Sequence, residues 1–134
     1  MMYAEIDEAL FRHLRVFADA ENIETAWPNI GFDFDDLDRY LDVSVLNSPA
    51  ETVGVNSVSR VPGVFQVSVY ARDGVGVVGS KEIADRLISH FSRGTSLDAG
   101  DCSVEITLQA YVSPVQIGGG WLNLPVSIPF LVLR

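Results

Sequence analysis

The run from Trp121 to Leu133 constrains this chain more than any other stretch. Leu122, Leu124, Val126, Ile128 and Phe130 fall on alternate positions, the period of a strand with one face turned to a core. Pro125 and Pro129 stand inside the same run, four residues apart, so the N–H groups they lack would point to the same side. A ladder on that side would lose two donors, which predicts a sheet edge there or a bulged strand.

Three other runs alternate in the same way. Over Arg39–Leu46, Leu41, Val43 and Val45 face one way, and Asp42 and Ser44 the other. Over Val64–Arg72, Phe65, Val67, Val69 and Ala71 oppose Gln66, Ser68 and Tyr70, and Asp73-Gly74 ends the strand. From Cys102 to Ala110, Val104, Ile106 and Leu108 continue one face, with Ser103, Glu105, Thr107 and Gln109 opposite. This last run is expected to form a hairpin with the closing strand, turning at Gly118, Gly119 and Gly120.

Two stretches have helical spacing. Ile6, Leu10, Leu14 and Phe17 make one apolar stripe over residues 3–18, with Glu5, Asp7 and Glu8 early and Arg12, His13 and Arg15 later, as the helix dipole favours. Ile83, Leu87, Ile88 and Phe91 predict a second helix over about residues 76–92, with Gly94 as its stop. Residues 24–38 read as a polar connection with room for a short strand around Thr25–Trp27. Residues 47–62, with Pro49, Gly54, Asn56 and Pro62, read as a long hairpin connection. The order helix, strand, strand, helix, strand, strand predicts one α+β domain over residues 1–134. Its sheet is expected to be mostly antiparallel, of about four to five strands, with both helices packed on one face.

At 134 residues such a domain can remove roughly two thirds of its unfolded surface from water. With 48% hydrophobic and 20% charged residues, wholesale disorder is excluded. The lone cysteine, Cys102, rules out an internal disulfide and fits a reducing compartment such as the cytoplasm. No apolar run approaches the ~20 residues that span a bilayer. The start, MMYAEIDEAL, is acidic where a secretory signal is basic and then apolar, so neither export nor a membrane partner is expected.

The formal charge of −9 is unevenly placed: residues 1–42 hold eleven acids and three arginines, a net −8, leaving −1 for the rest. An acidic surface repels phosphate backbones, so nucleic acid is not an expected partner.

The search for chemistry yields little. His13 and His90 lie on different helices with no nucleophile or carboxylate at a telling spacing, and read as surface or helix-end residues. Cys102 is in phase with an apolar face and reads as a buried, inert thiol. One cysteine and two separated histidines make no metal site. The acidic stretch Asp33-Phe34-Asp35-Asp36-Leu37-Asp38 lacks the glycine and glutamate of a calcium loop, since Asp38 and Ser44 occupy those positions. Gly74-Val75-Gly76-Val77-Val78-Gly79 matches a dinucleotide fingerprint between a strand and a helix. Asp73 stands where a pyrophosphate would approach, however, and the acid expected further on has only Asp98 or Asp101 to fill it. A flexible start to the helix explains the glycines. No catalytic constellation, cofactor or metal is expected.

Taken in order, several segments resemble the tail terminator proteins of long-tailed bacteriophages and prophage-derived particles. They are Trp27-Pro28-Asn29, Arg60-Val61-Pro62-Gly63-Val64-Phe65-Gln66-Val67, and Ala84-Asp85-Arg86-Leu87 running through His90-Phe91 to Arg93-Gly94-Thr95. The closing ones are Gly119-Gly120-Trp121 and Leu124-Pro125-Val126-Ser127-Ile128-Pro129-Phe130. The resemblance implies structural work, not catalysis. Such proteins form a ring, typically a hexamer, that caps the tail tube, stops its growth and offers a surface for joining the head. The implied partners are copies of the chain itself, the tail tube protein and a head-joining protein. The implied place is the head-proximal end of the tail in the virion, reached after assembly in the host cytoplasm.

A closed ring needs two different patches per subunit. The long connections 47–62 and 113–120 are the expected contact regions, with Arg60, Gln116 and Ile117 as contact residues. Ile117 is a large apolar side chain beside three glycines, with little local core to join. Asp33, Asp35, Asp36 and Asp38 are expected to face Arg60, Arg72 or Arg93 of a neighbour. Two other readings stay open: a head–tail joining or minor tail component, and a small-ligand-binding α+β domain with a pocket between helices and sheet.

Overall fold

The computed structural model describes residues 2–33, 35–49, 51–53, 58–72, 74 and 76–133. The first helix, α1, spans Met2–Glu21 and buries Ile6, Leu10, Leu14 and Phe17, the stripe that the spacing predicts, with Ala9 and Ala18 between them. The helix ends where Asn22 turns left-handed at φ 56° and the Ile23 amide bonds to the Ala18 carbonyl. This tight reversal brings the chain back along the sheet as β1, Thr25–Ala26, which runs parallel to β2, Arg39–Asn47. The short strand left open between Thr25 and Trp27 is therefore present.

Strand β3, Glu51–Val53, pairs with the start of β4, Val58–Arg72. The second helix, α2, spans Val78–His90. Then follow β5 (Ser96–Ala99), β6 (Cys102–Ile106), β7 (Tyr111–Val112), β8 (Gln116–Gly118) and β9 (Trp121–Leu133). The main path across the sheet is β1-β2-β4-β9-β6-β5, with β3, β7 and β8 attached to its long strands. The α+β class holds. The sheet is larger than the expected four to five strands and is mixed, because β1 and β2 are parallel. Strands of two to four residues carry too few alternations to leave a period, which is why β3, β5, β7 and β8 are absent from the order expected from the sequence.

Strand β4 begins at Val58, inside the expected 47–62 connection, of which residue 50 and residues 54–57 lie outside the described residues. It runs straight through Pro62. The Pro62 carbonyl accepts the Ser48 amide at 2.9 Å, so its nitrogen faces the same side, where β2 has already ended at Asn47. The missing donor falls in a gap in the ladder and costs no strand bond. The next residue has to be glycine for want of space. A Cβ on Gly63 would run into the Phe130 ring and come within 2.7 Å of the Leu46 carbonyl oxygen.

The closing strand is neither an edge nor bulged. It pairs with β4 along its whole length, from Arg60 opposite Leu133 to Arg72 opposite Trp121. On its other side the partner is broken into three pieces: β6 reaches Ile106 opposite Phe130, β7 covers Ser127 and Val126, and β8 covers Asn123 to Trp121. Pro129 falls in the first break and Pro125 in the second. The Pro125 carbonyl accepts the Ser113 amide, so both proline nitrogens face this broken side. The prolines thus leave β9 central and fragment its neighbour, and the Cys102–Ala110 strand expected in one piece stops at Ile106.

Helices α1 and α2 lie together on one face of the sheet. Phe65 of β4 is central to the seam, with ring centroids 6.0 Å from Phe11 and 5.6 Å from Phe91. Leu41, Val67, Leu124, Ile128, Val104 and Ile106 complete this core. Each such side chain contributes about 1.5–3 kcal/mol by leaving water. Cys102 is buried as expected, its thiol 3.6 Å from the Ala99 carbonyl.

Candidate functional site

Among the described residues, side chains able to do chemistry meet in two places. Between the helices, His13 and His90 stack with ring centroids 3.9 Å apart. Each ring sends Nε2 to the other residue's carbonyl oxygen, at 2.8 and 2.7 Å. A carbonyl only accepts, so both rings carry hydrogen on Nε2. Burial holds His13 below the ordinary histidine pKa; the His90 carbonyl pulls it up and the His90 ring pushes it down. Reciprocal bonds of this kind staple α1 to α2. The surface ion pair of Arg86 with Glu21, 2.9 Å apart, spans the same two helices. His90 closes α2, the helix-end position expected, but neither ring is a free surface group: each is part-buried and they face one another. They lie 77 residues apart in the chain, and no local pattern could have joined them.

The second cluster covers the sheet face turned away from the helices. Tyr40 and Tyr70 stack at 4.7 Å, and Trp121 meets Tyr40 edge-on at 5.0 Å. The Arg72 guanidinium lies 4.0 Å over the Trp121 ring. From there Nε donates to the Leu37 carbonyl at 3.0 Å and an Nη to the Asp35 carbonyl at 2.6 Å. The Arg72 amide also bonds to the Asp38 carbonyl. Burial, first of all, pushes the Tyr40 and Tyr70 hydroxyls up, and Asp42 beside them is likewise raised by burial. Phenols and carboxyl are held in their neutral forms over a wider range than usual.

Arg72 therefore ties down the acidic loop through its backbone. Asp33 shapes that loop by accepting the Asp35 amide at 3.1 Å. The side chains of Asp33, Asp35, Asp36 and Asp38 are left exposed to solvent. Phe34 lies outside the described residues. Among the described residues no group of three or more histidine, cysteine or acidic side chains is placed to hold a metal.

Gly76 and Gly79 of the glycine segment line a cleft of about 410 Å³ with Asp38, Arg39, Arg72 and Ser80 at the start of α2. Asp73 and Val75 lie outside the described residues. The strand before the cleft is antiparallel to both its neighbours, and the chain leaves α2 for β5 at the far edge of the sheet. This is not the parallel strand–helix–strand unit that a dinucleotide fingerprint serves.

Gln116 and Ile117 lie in β8, at the same end of the long strands as the acidic loop and the tyrosine cluster. Arg60 is exposed at the opposite end of β4, twelve residues from Arg72 and so roughly 40 Å away. The sequence-derived candidates thus divide into two distant groups. Ile117 is 65% exposed and does not fold back under the hairpin. It has company: Leu108, Tyr111 and Val112 are exposed on the same segment. That segment crosses to β9 through the two-residue turn Gly119-Gly120, whose φ angles of 61° and 81° require glycine. The chain carries no charged or histidine residue from 106 to 133. This signal was open to inspection in the sequence and was missed, whereas the aromatic cluster needed the register of three strands.

The segment is thus an arm with four exposed apolar side chains, free of charge and hung on two short ladders. A family model for phage tail terminator proteins matches residues 5–130. This chain belongs to the phage tail terminator family. It is a structural protein of a phage tail, associated with the virion. One solved structure superposes with a TM-score of 0.81 at 23% identity, over 98% of this chain and 96% of that one, a likeness of fold. No curated protein sequence matches. Among the described residues no helix of this tail terminator family member is long and apolar enough to cross a membrane.

Proposed function

We propose that this chain forms a closed ring, a hexamer, that caps the tail tube at its head-proximal end, stops tube growth and presents the surface to which the head is joined. The subunit assembles in the host cytoplasm, its partners are its own copies, the tube protein and a head-joining protein, and its work is structural, not catalytic. The observation that carries this reading is the arm of residues 107–120, where Leu108, Tyr111, Val112 and Ile117 are all exposed. A closed ring is heterologous, so each subunit needs a second, different patch. The acidic loop at one end of the long strands and Arg60 at the other supply unlike surfaces on one body.

Native mass measurement across a concentration series tests this. Closed hexamers, alone or on addition of tube ends, are the expected result. A monomer or dimer at every concentration, with tails of normal length formed in its absence, would rule the ring out. Replacing Asp33, Asp35, Asp36 and Asp38 together by asparagine tests the charged contact. If those acids face a neighbour's arginine, assembly weakens and loses salt dependence. Assembly with an unchanged salt response removes them from the interface.

A further inference from the structure

Two edges of the sheet are open at the same level of β9, on opposite sides. One is β1, beyond which no strand lies among the described residues. The Leu41 amide bonds to the Glu24 carbonyl, and neighbours in a parallel ladder alternate sides, so the N–H and C=O of Thr25 point away from β2. The other edge is formed by β7 and β8. The Ser113-to-Pro125 bond sets which residues face β9, and by that alternation the backbone groups of Val112 and Ile117 point outward. Thr25 stands level with Leu124 of β9 through Leu41 and Val69, and β7 and β8 pair with β9 on either side of that position.

Open edges invite pairing, and proteins normally guard them with charge or proline. The β7–β8 edge has no charged residue, and its only neighbouring proline, Pro114, lies between the two strands. The β1 edge borders a cleft of about 260 Å³ lined by Arg15, Asp19 and Glu24, and Ile30, in the turn that follows β1 in the chain, is 64% exposed. Copies that each bear −9 repel wherever acid meets acid, and come together at less cost where one face carries no charge and the other, with one arginine against two acids, carries little.

We infer that the β7–β8 edge of one copy pairs with the β1 edge of the next, so that the sheet runs on from subunit to subunit. The occupant of each edge is a second copy of this chain. This rests on the ring reading, and deepens it by naming the two unlike patches. Main-chain bonds from Val112 and Ile117 to the Thr25 region give affinity, and the seating of Ile117 near Ile30 gives register.

Two variants and their mixture test it. Ile117→Asp puts a charge on the β7–β8 edge and Ile30→Asp puts one in the turn that follows β1, both at exposed positions, and each should raise the concentration for half-assembly by about tenfold or more. Val16→Asp, at a residue 60% exposed on α1 that faces Leu97 and Asp98 of β5 and lies in neither edge strand, should leave assembly unchanged. Circular dichroism and melting confirm that all three are folded. Each damaged variant keeps one good edge, so mixing Ile117→Asp with Ile30→Asp should give a one-to-one dimer and no ring. Rings that survive either change, or a mixture that stays monomeric, would overturn the edge pairing and leave the ring reading standing. Absence of any closed oligomer from the unaltered protein, with or without tube ends, would sink both.

Discussion

The two sides of β9 are built from one strand and behave as different materials. Toward β4 the ladder is unbroken from Trp121 to Leu133, and its core face carries Phe65, Val67, Val69, Leu124, Val126 and Ile128 under two helices. Toward β6, β7 and β8 the ladder is cut at Pro129 and again at Pro125. The first side holds the fold. The second leaves residues 107–120 attached by two short ladders, with Ala110 and Val115 turned to the core and Leu108, Tyr111, Val112 and Ile117 in solvent. Two prolines on one phase of one strand separate a continuous scaffold from a loosely attached, exposed arm.

The sharpest way to break this contrast is to strike the scaffold. Phe65→Ala should cost about 3–5 kcal/mol, because the ring is fully buried between Phe11 and Phe91 and its neighbours cannot close the hole. Denaturant unfolding measures it. Gly63→Ala should cost about 1–3 kcal/mol by forcing the Phe130 ring and the Leu46 carbonyl apart, read in the same way. On the arm, Gly119→Ala should cost about 1 kcal/mol for placing a side chain at φ 61°, and the loss should show first as faster amide exchange in residues 107–120.

A subtler effect belongs to the helix seam. His13 is held below the ordinary value by burial, so the unfolded chain takes up its proton more readily. Its contribution is complete above the unfolded pKa of about 6.5 and is lost as pH falls below that. Melting temperature should therefore drop from about pH 7.5 to about pH 5 in the unaltered protein, and the drop should shrink in His13→Gln. Asp7 and Asp42, both raised by burial, act with the opposite sign as pH nears the carboxylate range, and the variant comparison separates them from the histidine. Least of all should Ile117→Asp change stability, by under about 0.5 kcal/mol, since its side chain packs on little.

What could be read from the amino acids follows the same division. The stripe Ile6, Leu10, Leu14 and Phe17, and the alternations of β2, β4 and β9, announce their burial because long elements repeat a period many times. The prolines of β9 announced a defect, yet on which strand the defect would fall depended on which neighbour supplied the other side. Ser96–Ala99, Tyr111–Val112 and Gln116–Gly118 are too short to show a period. Parallel pairing of β1 with β2 depends on the path of the 27–38 connection, which leaves no period to read. Of the site, Ile117 was legible as an apolar residue without a local core. The stacked histidines and the hold of Arg72 on the acidic loop were not, since both join residues distant in the chain.

Hydrogen exchange read by mass spectrometry, at concentrations below and above assembly, tests the contact role of the arm most directly. Residues 107–120 and the β1 region should gain protection on assembly while the β4–β9 ladder, already slow to exchange, stays the same. Protection that appears elsewhere, with the arm exchanging as fast in the oligomer as in the monomer, would contradict it.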